Sequence, residues 1–79
     1  VSKEGEFVEF GEFLLGECYS KGVAIERNYE KALFYLLRSA GRGLCSAQGA
    51  VAFKYQNGLG CERQTGKAIY WFCKASKQG

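Results

Sequence analysis

Residues 26–43 read ERNYEKALFYLLRSAGRG and residues 62–79 read ERQTGKAIYWFCKASKQG, so the chain restates itself 36 positions on. A fixed period of this length constrains the fold more than any other feature, because each copy is one supersecondary unit too small to hide its apolar face alone. The register runs backward as well. Tyr19 maps onto Tyr55, Gly22 onto Gly58, Glu26 onto Glu62, Arg27 onto Arg63, Lys31 onto Lys67, Ala32 onto Ala68 and Gly43 onto Gly79. Softer matches fill the gaps: Leu15 with Val51, Leu33 with Ile69, Tyr35 with Trp71 and Arg38 with Lys74. Residues 1–79 read as a single repeat domain, with one repeat at about 7–43 and a second at about 44–79.

Each unit reads as two helices. In 44–57, Leu44, Ala47, Val51 and Tyr55 fall at steps of three, four and four, the stripe of an amphipathic helix. Gly58 follows as a left-handed stop, and after the loop GLGCERQ the run TGKAIYWFCKASKQ forms the returning helix. The first repeat has the same grammar: Leu15 and Tyr19 on the leading helix, Gly22 as its stop, and Asn28 as N-cap to YEKALFYLLRSAGR. Gln64 holds the equivalent slot in the second repeat and is a poorer cap. Neither run alternates with period two or is rich in β-branched residues, which removes the strand reading. Small residues recur at matched positions (Ala32 and Ala68, Ala40 and Ser76, Gly11 and Ala47, Gly16 and Ala52), as helix axes about 8–10 Å apart require. Tyr19, Tyr35, Tyr55 and Trp71 fill the space beside them. The expected architecture is all-α: an α-solenoid of two stacked helix-turn-helix repeats with four main helices.

A hydrophobic content of 47% with 24% charged residues suits a folded chain, and no apolar run is long enough to span a bilayer. The opening VSKEGEFVEF carries acids where a secretory signal needs a basic start and an apolar run. With no initiator Met, the chain reads as a fragment of a longer solenoid, and a leader would belong to the missing flank. His and Asp are absent, which excludes Ser–His and Cys–His dyads and histidine metal ligands. No catalysis and no cofactor are expected. Of the four cysteines, Cys61 maps onto Ile25 and Cys73 onto Leu37, so both read as small buried hydrophobes. Cys18 and Cys45 map onto Lys54 and Glu9, polar or boundary slots. No pair recurs between repeats and no C-x2-C knuckle is present, so free thiols are expected in place of a disulfide or zinc site. Free thiols lean toward a reducing, intracellular compartment.

Taken together, these residues resemble the Sel1-like repeats, relatives of the tetratricopeptide repeat with the pattern A-x3-L-G-x2-Y-x2-G-x-G-V-x2-D-x2-K-A-x2-W-x2-K-A-A-x2-G. The first repeat supplies Gly11, Leu15, Gly16, Tyr19, Gly22, Ile25, Asn28, Lys31, Ala32, Tyr35, Arg38, Ala40 and Gly43. The second supplies Ala47, Val51, Ala52, Tyr55, Gly58, Gly60, Cys61, Gln64, Lys67, Ala68, Trp71, Lys74, Ala75 and Gly79. Ala24 departs from the pattern at a loop glycine, Asn28 and Gln64 at the acidic slot, and Cys61 at the usual Val. The resemblance implies a scaffold or adaptor that binds other proteins and does no chemistry of its own.

Two surface features stand apart from the repeat. Phe7, Phe10, Phe13 and Leu14 add a second apolar arc to a leading helix whose expected packing arc is Val8, Gly11, Leu15 and Tyr19. Their counterparts are Gly43, Ser46, Gly49 and Ala50, so the bulk is peculiar to this helix; it reads first as a seat for a preceding repeat, then as a partner or self-association patch. The second feature is charge. Residues 1–17 hold one Lys and five Glu, whereas residues 18–79 hold ten Lys or Arg and three Glu. Arg27, Lys31, Arg38 and Arg42 fall within roughly 60° of one another at about 100° per residue, and Arg63, Lys67 and Lys74 repeat the line. This basic ribbon reads as a solvated face or as a seat for an acidic or anionic surface. Acidic protein ranks ahead of nucleic acid, because a net charge of +3 is modest for a nucleic-acid domain.

Overall fold

In the computed structural model the backbone is described for residues 2–78 and the side chains for residues 10–77. Among the described residues there are four helices and no strand: α1 (Ser2–Lys21), α2 (Tyr29–Gly41), α3 (Cys45–Asn57) and α4 (Thr65–Gln78). Their ends follow from the capping residues. Asn28 is extended, and its side-chain oxygen accepts the Lys31 N–H at 3.0 Å, which satisfies one of the free donors at the start of α2. Asn28→Ala is therefore expected to cost about 1 kcal/mol, read as a lower urea midpoint at unchanged slope. At the far end of α3, Gly58 takes φ 67 and its N–H donates to the Lys54 carbonyl, while Gly22 closes α1 at φ 73. Both inter-helix loops are pinned alike: Asn28 N–H donates to Tyr19 O and Gln64 N–H to Tyr55 O, each at 2.9 Å.

The helices pack in chain order, α1 on α2, α2 on α3 and α3 on α4, giving a flat stack of 37 × 33 × 14 Å. The core lies mainly between the repeats. Leu33, Leu36 and Ala40 of α2 meet Ala47, Val51 and Tyr55 of α3, with Ala68 of α4 closing the cluster and Trp71 packed against it. Within the first repeat, the missing side chain of Gly16 lets α2 come close. A Cβ there would lie 2.7 Å from Leu36 Cγ.

The packing face of α1 is only partly the expected one: Tyr19 does stack on Tyr35 of α2, with ring centroids 5.9 Å apart, but two other members of that arc do not pack. Gly11 is exposed with open space around it, and Leu15 is 36% exposed. Phe13, expected on the outer arc, is half-buried against the core. The reason is position in the stack. Ala47 and Val51, the counterparts of Gly11 and Leu15, are buried because α3 lies between α2 and α4, whereas α1 packs mainly on α2. Phe10 and Leu14 do remain exposed, and Phe10 stacks on Phe13 with ring centroids 6.3 Å apart. Phe7 and Val8 belong to α1, but their side chains lie outside the described residues. Cys73 also departs from expectation: it is exposed on α4, because nothing here covers the surface by which its counterpart Leu37 packs into the core. Cys61 is half-buried against the core as expected, and the four cysteines are free thiols.

Candidate functional site

The cations of the expected ribbon come from three kinds of position. Lys31, Arg38, Lys67 and Lys74 lie on α2 and α4, Arg27 and Arg63 lie in the loops before those helices, and Arg42 is the C-cap of α2. The line is thus helical over only part of its expected length, because Asn28 holds the chain extended just before α2. All seven side chains are exposed.

What the period repeats is a cation resting on an aromatic ring. Lys31 Nζ sits 5.6 Å from the centre of the Tyr19 ring, and one repeat later Lys67 Nζ sits 5.4 Å from that of Tyr55. Arg38 Cζ lies 5.7 Å from the Phe34 ring, and its counterpart Lys74 has Nζ 5.5 Å from the Tyr70 ring. Arg27 covers Tyr29 at 5.4 Å, but its counterpart Arg63 precedes Thr65, which offers no ring. Exposed contacts of this kind are worth about 0.5–1 kcal/mol each, enough to orient a long side chain without removing its charge from water.

The ribbon divides by what neutralises it. Glu12 binds both Arg38, at 2.6 Å to Nε, and Arg42, at 3.3 Å, and the Arg38–Glu12 hydrogen bond holds the guanidinium more firmly protonated still. Lys31 and Arg27 instead rim a shallow hollow of about 410 Å³ with Tyr19, Ile25, Glu26 and Asn28. Two cations and a single acid line it, and its surface is more polar than apolar. No group of metal-ligating side chains occurs among the described residues, and no described helix is long and apolar enough to cross a membrane.

Buried polar residues were missed in the sequence, Lys54 and Gln48 among them. Lys54 of α3 is buried, yet its Nζ donates to Ser20 Oγ at 2.7 Å and lies 5.8 Å from the Tyr29 ring, so it ties the second repeat to both helices of the first. Burial lowers its pKa, with Glu17 opposing. Gln48, also buried, donates to the Ala40 carbonyl at 3.1 Å across the same interface. The available signal was that Gln48 maps onto Glu12: a polar residue at one matched position of two otherwise apolar faces.

Burial pushes up the Tyr55 phenol, helped by Cys61, and the Cys61 thiol, opposed by Lys67. Raised folded values mean that the native state keeps these protons longer than the unfolded chain. The stability they lend is full below the ordinary values, 9.0 for the thiol and 10.0 for the phenol, and is lost as pH rises through the higher folded ones. Urea unfolding at pH 8 and pH 9.5 should therefore show a loss in the native chain that is shallower in Cys61→Ala.

The Sel1 repeat model matches residues 10–44 and 45–79. The chain belongs to the Sel1 repeat family. A crystal structure of a Sel1 repeat protein from Oxalobacter formigenes superposes with a TM-score of 0.87 at 31% identity, over 89% of this chain and 29% of that one. In sequence the chain is similar to chitin synthase regulatory factor 3 of Schizosaccharomyces pombe, 36% identical over 96% of this chain and 8% of that protein. It is likewise 36% identical to chitin synthase regulator SKT5 of Saccharomyces cerevisiae, over 80% of this chain and 10% of that protein. The two Sel1 repeats thus span a tenth or less of these regulators' lengths.

Proposed function

We propose that this pair of Sel1 repeats is a protein-interaction adaptor, and that it grips an acidic segment of its partner along the cation–aromatic edge formed by Arg27, Lys31, Arg63, Lys67 and Lys74. The observation that carries the reading is the recurrence of the Lys–Tyr pair. Lys31 over Tyr19 and Lys67 over Tyr55 place two exposed ammonium groups in the same setting, one repeat apart. The hollow beside Lys31 places Arg27, Asn28 and the Tyr19 ring next to its ammonium group. The similarity to two proteins named as regulators of an enzyme supports a role exercised by binding. The absence of His and Asp removes the commonest acid–base groups. Arg38 and Arg42 contribute less on this reading, since Glu12 already answers them.

The test is affinity capture from a nuclease-treated native lysate, comparing the native chain with Lys31→Glu/Lys67→Glu after circular dichroism shows equal helicity. Proteins retained by the native chain should be lost by the double variant, and their retention should fall as salt is raised. Retention unchanged by the double substitution would remove this edge from consideration. Capture found in a parallel untreated lysate but absent from the nuclease-treated one would favour an anionic nucleic-acid surface instead.

A further inference from the structure

How closely one repeat approaches the next is decided by the loop between its two helices. In the second repeat this loop carries Gly60 at φ 86, pressed against the first turn of α2. A Cβ at Gly60 would lie 2.4 Å from the Tyr29 carbonyl oxygen, 2.6 Å from its carbon and 3.0 Å from Glu30 N. Backbone cannot yield as a flexible side chain can, so the observed seating of α3 against α2 requires glycine here. One period earlier the residue is Ala24, exposed and also left-handed at φ 71. The first repeat makes the same turn but carries the methyl group that the seated loop cannot hold.

The helix above that loop differs in the same sense. Arg42, Gly43 and Leu44 turn α2 into α3, and their counterparts are Glu6, Phe7 and Val8. Those residues lie inside α1, which runs unbroken from Ser2 to Lys21. A hairpin stacked before α1 in this register would have to turn where the chain is already helical. The opposite end of the stack shows the reverse. Ile69 is 57% and Phe72 42% exposed, whereas their counterparts Leu33 and Leu36, which receive α3, are 6% and 0% exposed.

The geometry points to a stack with one growing end: the α4 face, through Ile69, Phe72 and Cys73, receives one further helical hairpin, and the α1 face does not. The occupant is a hairpin of the same repeat with glycine at the position of Gly60. A hairpin with a side chain there, this chain's own first repeat included, fails to seat, so copies of the chain do not link head to tail in the α2–α3 geometry. Phe10 and Leu14 then lie on the face that does not receive a hairpin of this repeat in the α2–α3 geometry. This inference stands on the fold and does not depend on which partner is bound.

The test extends the full chain directly after Gly79, in register, with one of three cassettes whose own cysteines are changed to Ala. The cassettes are residues 44–79, residues 44–79 with Gly60→Ala, and residues 8–43. The readout is the modification rate of Cys73 by a thiol reagent, followed by peptide mass, with helicity recorded for each chain. Cys73 is exposed here, while Leu37 at the matched position is half-buried against the core. The first cassette should slow labelling of Cys73 at least tenfold relative to the unextended chain, and the other two should leave it within about twofold. Unslowed labelling with the first cassette would show that α4 is not the receiving face. Equal protection by either of the others would show that the loop methyl does not set the polarity.

Discussion

Gly60→Ala should lower the stability of this chain by about 3 kcal/mol, whereas Ala24→Gly at the matched position should change it by about 0.5 kcal/mol or less. Two costs add at residue 60. An alanine at positive φ costs about 1–2 kcal/mol, and overpacking against unyielding atoms costs about 1–3 kcal/mol more. Those atoms are the Tyr29 carbonyl and the Glu30 nitrogen at the start of α2, so the loop must withdraw and lift the α3–α4 pair from its seat. At residue 24 the left-handed strain is already present. Removing the methyl relieves it, but frees the unfolded chain by a similar amount. In a domain this small, about 1 kcal/mol moves the melting temperature by roughly 4–8 °C, so thermal melts followed by circular dichroism should separate the two variants by 10 °C or more. A Gly60→Ala melt within about 3 °C of native would mean that the loop contact does not limit stacking.

That asymmetry also marks where the sequence was legible and where it was not. The helices and their stops could be read because each depends on nearby residues. Asn28 accepts the Lys31 amide three positions on, and Gly22 and Gly58 take the left-handed turn their positions predict. The pairing of helices followed from the period, since a repeated amphipathic hairpin has few ways to hide its face. The facing of α1 was partly misread for a reason that repetition itself creates. Matching Gly11 and Leu15 to the buried Ala47 and Val51 assumes equal neighbours, but α3 has a helix on two sides and α1 mainly on one. The same assumption placed Cys73 in a core. The ribbon was half legible: all seven cations are exposed, but Arg27 and Arg63 lie in loops and not on the helices, and the period alone could not show that Glu12 holds Arg38 and Arg42, nor that rings lie beneath Lys31, Lys67 and Lys74. Lys54 was hidden because a lysine in a repeat slot reads as surface, and only tertiary packing supplies Ser20 and the Tyr29 ring to hold it.

The unequal neighbours give the second large effect. Leu36 and Phe72 occupy the same repeat position, yet Leu36→Ala should cost about 3 kcal/mol and Phe72→Ala about 1 kcal/mol or less. Leu36 is fully buried, inserted where Gly16 of α1 leaves room and joined to the cluster that includes Val51 and Tyr55 of α3. Truncating it removes buried methyl groups and leaves a cavity bounded by backbone that cannot close. A domain of this length has about 4–12 kcal/mol in all, so Leu36→Ala should leave a measurable unfolded fraction at modest urea. Phe72 loses less because 42% of it already faces water. The difference reports neighbours, not residue type, and that makes it a second gauge of the growing end. In the chain extended by residues 44–79, a seated hairpin covers Phe72, and the cost of Phe72→Ala should rise toward that of Leu36→Ala. If it stays near 1 kcal/mol while the added hairpin is helical, the hairpin has folded without docking, and α4 is not the face that receives it.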